Sequence, residues 1–200
     1  MRVLQLSVGG FDHNFSYAVG DDETALIDPA GSWQVICDAL AGAGISQVRY
    51  ILLTHGHSDH LEDLEAAKRA FPEAEVCGHP GNRAACRKLA DGETLPLGSS
   101  SVEALFTPGH SPDSVCYLCD RSALFTGDTL FVGCVGFARK PESMYSSLKR
   151  LSKLPGNITV YPGHDYGSVP FRTLAEEKLD NPYLGCPTLE EFKVQLKELV

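Results

Sequence analysis

The sequence predicts an α/β protein built on mixed sheets with helices on their outer faces, and three observations carry that prediction. Short apolar runs of strand length alternate along the chain with amphipathic stretches of helical length. Turn signals, many of them glycine or proline, separate these runs. Polar residues able to do chemistry gather where apolar runs end.

The elements follow in order. "RVLQLSV", "FSYAV" and "TALIDP" read as strands, divided by Gly9-Gly10 and by Gly20-Asp21-Asp22. "SWQVICDALAGAG" predicts a helix capped at Ser32 and ended by Gly42 or Gly44. "VRYILL" is a buried strand. The helix after it places Leu61, Leu64, Lys68 and Phe71 on one face and stops at Pro72. "AEVCG" is a strand, and "PGNRAACRKLA" predicts a helix opened by Pro80. "VEALFTP", "SVCYLC" and "ALFTG" form a second set of strands. "PESMYSSLKRLSKLP" is a helix between prolines, and "ITVYPG" is a further strand. The tail "TLEEFKVQLKELV" predicts a helix with Leu189, Phe192, Leu196 and Leu199 on one stripe. Thr188 and Glu191 supply a capping box for it. A single domain over 1–200 accommodates all of this, its tail helical from about 170.

Composition excludes several classes of function. The formal net charge of −9 argues against a nucleic-acid partner, which needs a basic face. No apolar run approaches the ~20 residues of a membrane span. The first residues turn polar too early for a signal peptide, and the seven cysteines are odd in number and unevenly spaced. Both features point to a cytoplasmic protein with reduced thiols. Cys116 and Cys119 lie three apart on a strand, so they face opposite sides and make a poor metal or redox pair.

The stretch "LLTHGHSDHLED" sets His55, His57, Asp59 and His60 within six positions, between a strand and a helix. Unpaired in a core, such groups cost roughly 1–3 kcal/mol each. Clustered imidazoles and carboxylates are the donors that divalent metals favour. His55 and His57, two apart after a strand, point the same way, and the turn into the helix sends Asp59 and His60 to an adjacent point. The other candidates also end apolar runs: His110 in "LFTPGHSP", Asp128 in "LFTGDTL" and His164 in "TVYPGHDYG". Five of the seven histidines fall in these segments. His13, in a loop, and His79, before a proline, are left outside the set.

"THGHSDH", followed in order by "PGH", "GDT" and "PGH", resembles the metallo-β-lactamase-fold hydrolase superfamily over about Phe11 to Leu184. Within it, "GDTLFVG", "MYSSL", "VYPGHDY" and "TLAEEKLDNPYL" are most similar to the glyoxalase II group. The resemblance implies a four-layer αββα sandwich with its site at one edge of the sheets. It assigns His55, His57 and His110 to one metal and Asp59, His60 and His164 to a second. Asp128 bridges the two, together with a hydroxide. Two divalent ions follow as cofactors, zinc first, with iron or manganese also acceptable. The reaction class is hydrolysis of a small-molecule thioester, with Asp59 orienting the nucleophile. Arg139 and Lys140 are candidates to bind a carboxylate, and Tyr166 matches a tyrosine that contacts substrate in that group.

There are departures from the pattern. The group's Gly-Cys-Gly and basic residue are replaced by Gly133-Cys134-Val135-Gly136-Phe137-Ala138 before Arg139. Only about 36 residues follow His164, too few for the helical domain that helps to grip glutathione. The alternative is an iron-dependent persulfide dioxygenase on the same fold, with His55, His110 and Asp128 as the iron's ligands. The Gly-Arg-Thr-Asp segment expected in that group is absent.

Overall fold

Residues 1–198 are described by a computed structural model. The first half of the chain makes β1 (Arg2–Gly9), β2 (Asn14–Gly20), β3 (Thr24–Ile27), α1 (Trp33–Gly42), β4 (Tyr50–Leu52), α2 (Leu64–Ala70), β5 (Glu75–Gly78) and β6 (Arg87–Lys88). Its strands form one six-stranded sheet in the order β1-β2-β3-β4-β5-β6. The second half makes β7 (Thr94–Leu97), β8 (Ser100–Phe106), β9 (Val115–Cys119), β10 (Ala123–Gly127), α3 (Pro141–Leu151), β11 (Thr159–Pro162), β12 (Arg172–Thr173), α4 (Leu174–Asp180) and α5 (Leu189–Gln195). Its sheet runs β12-β11-β10-β9-β8-β7.

Side-chain alternation stacks these sheets face to face. Tyr17, Val19, Ile27, Tyr50 and Leu52 meet Val102, Tyr117, Cys119 and Phe125 in a shared core. The alternate residues Ala18, Leu26 and Ile51 face outward and are covered by Ile36 and Leu40 of α1 and by Leu64 and Ala67 of α2. On the far side, Cys116, Leu118, Leu124 and Val160 are covered by Met144 and Leu148 of α3, Leu174 of α4 and Phe192 of α5. The result is the four-layer αββα sandwich, and Cys116 and Cys119 do face opposite cores.

Strand direction places the chemistry. β3, β4 and β5 run parallel, as do β10 and β11, so their carboxyl ends share an edge. The β1–β2 turn reaches the same edge and joins the sheets there: Phe15 N–H donates to Gly163 O at 2.8 Å and Asp165 N–H to His13 O at 3.0 Å.

Several local readings need correction. The helix expected over "PGNRAACRKLA" is instead a set of turns leading into β6. His79 Nδ1 accepts from Gly81 N–H and Asn82 Oδ1 from Ala84 N–H, so side chains compete for the amides a helix would use. Cys86 and Leu89 N–H then donate to Val76 and Gly78 carbonyls, extending the sheet. β7 is unexpected because it contains Pro96, which an edge strand tolerates. Within the tail expected to be helical from about 170, α4 is a separate short helix, and it carries the complete capping box, Thr173 with Glu176. At α5 the Thr188 side chain accepts from Glu191 N–H, while the reciprocal bond is not formed. Leu199 lies outside the described residues. α2 begins at Leu64, since Ser58–His60 form a separate 3₁₀ turn. Ser32 sits at the N-cap of α1 without a side-chain capping bond. Among the described residues, no helix is long and apolar enough to cross a membrane.

Candidate metal centre

The seven sequence-predicted donors converge at the shared edge in two groups. His55, His57, His110 and Asp128 each offer a donor atom within 4.8 Å of the others, and Asp59, His60 and His164 do the same beside them. In the first group His110 Nε2 lies 3.0 Å from His57 Nδ1 and 3.3 Å from Asp128 Oδ2, which is 4.0 Å from His55 Nε2. In the second, His60 Nε2 lies 3.2 Å from His164 Nε2 and 3.3 Å from Asp59 Oδ2. Asp128 Oδ1 approaches this second group, 3.2 Å from His60 Nε2 and 3.3 Å from His164 Nε2. One carboxylate therefore sends an oxygen to each group.

The far side of four of the five rings is tied down. His110 Nδ1–H donates to Phe137 O at 3.1 Å and His164 Nδ1–H to Asp12 O at 2.7 Å. Facing carbonyls, these nitrogens must carry the proton, and the Nε2 lone pairs point inward. His60 Nδ1 lies 2.9 Å from Asp28 Oδ2, and His55 Nδ1 lies 3.1 Å from Thr54 Oγ1. Asn14 Nδ2 donates to Asp59 Oδ2 at 2.9 Å. Gly163 lets the β11 loop close over the centre: a Cβ there would stand 2.6 Å from Asp128 Oδ1 and 2.9 Å from His60 Cε1.

Two atoms test whether a metal fits. Buried His55 Nε2 and Asp128 Oδ1 have no hydrogen-bond partner among the described residues. Asp128 Oδ1 is close to two imidazole nitrogens yet makes no hydrogen bond with either. Convergent, unpartnered lone pairs are what a cation needs, and imidazole with carboxylate suits zinc, iron and manganese.

The two groups differ electrostatically. Burial pushes His55 well below the ordinary imidazole range, and it lowers His57 and His110 as well, with the Arg139 charge adding to the effect at His57. Burial also works against protonation of His60, but Asp128 and Asp28 outweigh it and hold this imidazole well above its ordinary value. His164 is raised in the same way, chiefly by Asp128. Asp128 is held well below the carboxylate range: burial opposes its ionisation, and His60 and His164 more than offset that.

The remaining predicted residues divide. Arg139 is exposed and lines a cleft that opens at His57. Lys140 is exposed at the start of α3 and is not on that cleft. Tyr166 stacks on His164 with ring centroids 4.9 Å apart and donates its hydroxyl to Asp12. His13 and His79 belong to neither group. Asp28 and Asn14 are additions that the structure makes. Asp28 accepts from Thr54 N–H at 2.8 Å and Thr54 Oγ1 at 2.5 Å while facing His60. It ends the apolar run "TALI", the same signal that singles out Asp128.

With this geometry in place, comparisons with known proteins are informative. The profile of the metallo-beta-lactamase superfamily matches residues 8–164. A hydroxyacylglutathione hydrolase from Francisella tularensis subsp. holarctica is 34% identical over 195 residues, covering 92% of this chain and 77% of that protein. The crystal structure of ETHE1 from Myxococcus xanthus is similar with a TM-score of 0.85 and 31% identity, over 100% of this chain and 91% of that one. The structure of TTHA1623 in a di-iron-bound form has a TM-score of 0.75 and 28% identity, over 92% of this chain and 100% of that one.

Proposed function

The chain belongs to the metallo-beta-lactamase superfamily, and from that premise we propose that it is a binuclear, metal-dependent hydrolase of thioesters. The carrying observation is the shared carboxylate: Asp128 offers one oxygen to each of two donor groups. In this reading His55, His57 and His110 would hold one ion, Asp59, His60 and His164 would hold the other, and Asp128 would be shared between them. When bound, a pair of divalent ions, zinc first and iron or manganese as alternatives, supplies Lewis acidity and makes water a nucleophile near neutral pH.

The chain's own groups do the rest. Carbonyl contacts lock His110 and His164 in the tautomer that presents Nε2, so no reorganisation is needed at the moment of reaction. Asp59 is the most exposed carboxylate of the centre and is pinned through Oδ2 by Asn14. Its other oxygen is free to accept from the attacking water and orient it. Tyr166 forms a wall over His164. Arg139 on the cleft, with Lys140 at longer range, attracts a substrate carboxylate. All seven cysteines are free, and in the reducing cytoplasm we assign to it they would stay so.

A second reading, an iron-dependent persulfide dioxygenase, draws on the facing of His55, His110 and Asp128 within the first group, a two-histidine, one-carboxylate set. One experiment separates the two. Metals are quantified on freshly purified protein, and the same sample is assayed on thioesters and, with oxygen uptake followed, on persulfides. Two ions per chain with thioester cleavage and no oxygen uptake is the expected result. One iron with oxygen uptake overturns it in favour of the second reading.

A further inference from the structure

Residues 129–137 link Asp128 to the carbonyl that orients His110, and they form neither helix nor strand. This loop keeps returning to the donor groups. It starts from Asp128, the carboxylate that reaches both of them. Phe131 then meets His164 edge-on, with ring centroids 5.7 Å apart. Gly136 comes back against the start: a Cβ there would stand 2.0 Å from Asp128 O and 3.1 Å from His110 Nδ1. Phe137 O ends the loop by accepting from that same nitrogen. Without regular structure of its own, the loop takes its shape from what holds it.

What holds it lies outside the centre. Glu177 of α4 is a fully buried carboxylate. Both of its oxygens face Gly133 N–H, at 3.2 and 3.3 Å, in the middle of the loop. Asn181 is buried as well, and its Nδ2 donates to Glu177 Oε2 at 2.7 Å and to Cys134 O at 3.1 Å. Asn181 Oδ1 accepts from Tyr183 and Leu184 N–H, which fixes the sense of the amide. Arg172 of β12 supplies the countercharge, donating Nε to Glu177 Oε1 at 2.5 Å. β12 is hydrogen-bonded to β11, so this hold is anchored in the sheet whose β10 leads into Asp128. Arg172 Nη2 is left buried without a partner. An ion pair that strands a donor in this way is a poor device for stability alone.

We propose that Glu177 is a positioning residue for the metal centre. Through Gly133 N–H, and through Asn181 to Cys134 O, it suspends the 129–137 loop so that Asp128, Phe131 and Phe137 O stay aimed at the donor groups. The proposal rests on the metal-centre part of the reading above and is independent of the thioester. None of the hydrogen bonds of Glu177 goes to a donor atom of the centre, so it acts only through the loop. Slack in the loop reaches His110 first, because the carbonyl at the loop's end sets which of its nitrogens carries the proton.

The test compares the full chain with two uncharged double variants. Arg172→Leu with Glu177→Leu removes the pair and every acceptor. Arg172→Leu with Glu177→Gln removes the charges too but leaves an amide oxygen for Gly133 N–H. Apolar replacement of a buried pair is often neutral for stability, and thermal melts of the metal-free proteins set a temperature at which all are folded. Nitrogen-15 NMR of the metal-free proteins then reports the His110 tautomer, and calorimetry reports zinc affinity. The leucine variant is expected to show mixed His110 tautomers and to bind zinc about tenfold more weakly, the lower end of the range for contacts that orient ligands. The glutamine variant is expected to resemble wild type in both. Wild-type behaviour in the leucine variant overturns the proposal. Equal loss in both variants also overturns it, since the charge pair and not the hold on Gly133 would then be at work. The tautomer readout needs no metal. A wild-type protein that takes up no zinc therefore ends the metal-centre reading, while the hold of Glu177 on the loop is still decided.

Discussion

Gly-Asp occurs at opposite ends of the sandwich, as Gly20-Asp21 after β2 and as Gly127-Asp128 after β10. At the first end the aspartate is exposed and pairs with the chain's amino terminus at 2.9 Å. At the second it is buried, its side chain 9% exposed, among four imidazoles. The neighbouring turns repeat the contrast. Asp120 and Arg121 both take positive φ in the short turn between β9 and β10, where Asp120 Oδ1 merely accepts from Ser101 N–H. Asp28, also at positive φ, is buried and holds Thr54 and His60. One end uses Asp and Gly to reverse the chain in water, where a charge pair contributes little. The other buries the same residue types, where breaking a pair costs several kcal/mol. Burial of the loop, not the identity of the residue, separates a turn from a metal centre.

The sharpest break in this comparison is His57→Ala. It removes one of four donors from the first group, and the expected outcome is loss of turnover and of bound metal, read by elemental analysis and thioester assay. Asp21→Asn at the opposite end, a surface change away from any buried contact, should change neither and should leave the melting temperature essentially unchanged. Unchanged turnover in the histidine variant would remove the first group from the chemistry. A smaller effect is expected of Asp28→Asn. It touches no donor atom of the groups that would hold metal, yet it weakens the contact that aims His60, and outer contacts of this kind are worth about 10–100-fold in metal affinity. Titration of the metal-free variant with zinc measures this. Affinity equal to wild type would mean that His60 is aimed by packing alone.

Much of this contrast is legible in the sequence. The layer order follows from apolar periodicity, and the donors of the centre follow from polar residues placed at the ends of apolar runs. Asp28 escapes notice because an aspartate before a proline is also an ordinary turn residue, and only its burial beneath Thr54 and His60 marks it out. The misread helix after Pro80 has the same cause. Its alanines and lysine suit a helix, but Asn82 and His79 turn their side chains back onto nearby amides, and the sheet claims the rest. Inside the tail read as helical, α4 is hidden as a separate element by its two short turns and by the Pro182 that follows closely, although Thr173 and Glu176 carry a capping signal as plain as the one at Thr188.

Two glycines carry the comparison down to single methyl groups. Gly163 closes the loop over the centre, and Gly163→Ala places a carbon 2.6 Å from Asp128 Oδ1, with a backbone carbon of Gly127 at 3.0 Å behind it. Overpacking of this kind costs about 1–3 kcal/mol. Because the clash falls on Asp128 and His60, metal content should fall with stability. Gly44 follows α1 at the opposite end, with φ +73° and nothing within 4 Å of the point where an alanine methyl would stand. Gly44→Ala therefore meets no neighbour, and its cost is the left-handed backbone alone, about 1 kcal/mol. For a chain of this length that is roughly a 2–4 °C fall in melting temperature, with the urea midpoint lowered, the slope unchanged and the metal content intact. Both variants are read by the same two measurements, urea unfolding and elemental analysis. If Gly44→Ala also sheds metal, the far turn and the centre are mechanically coupled. The division of the molecule into an end that turns the chain and an end that binds would then fail.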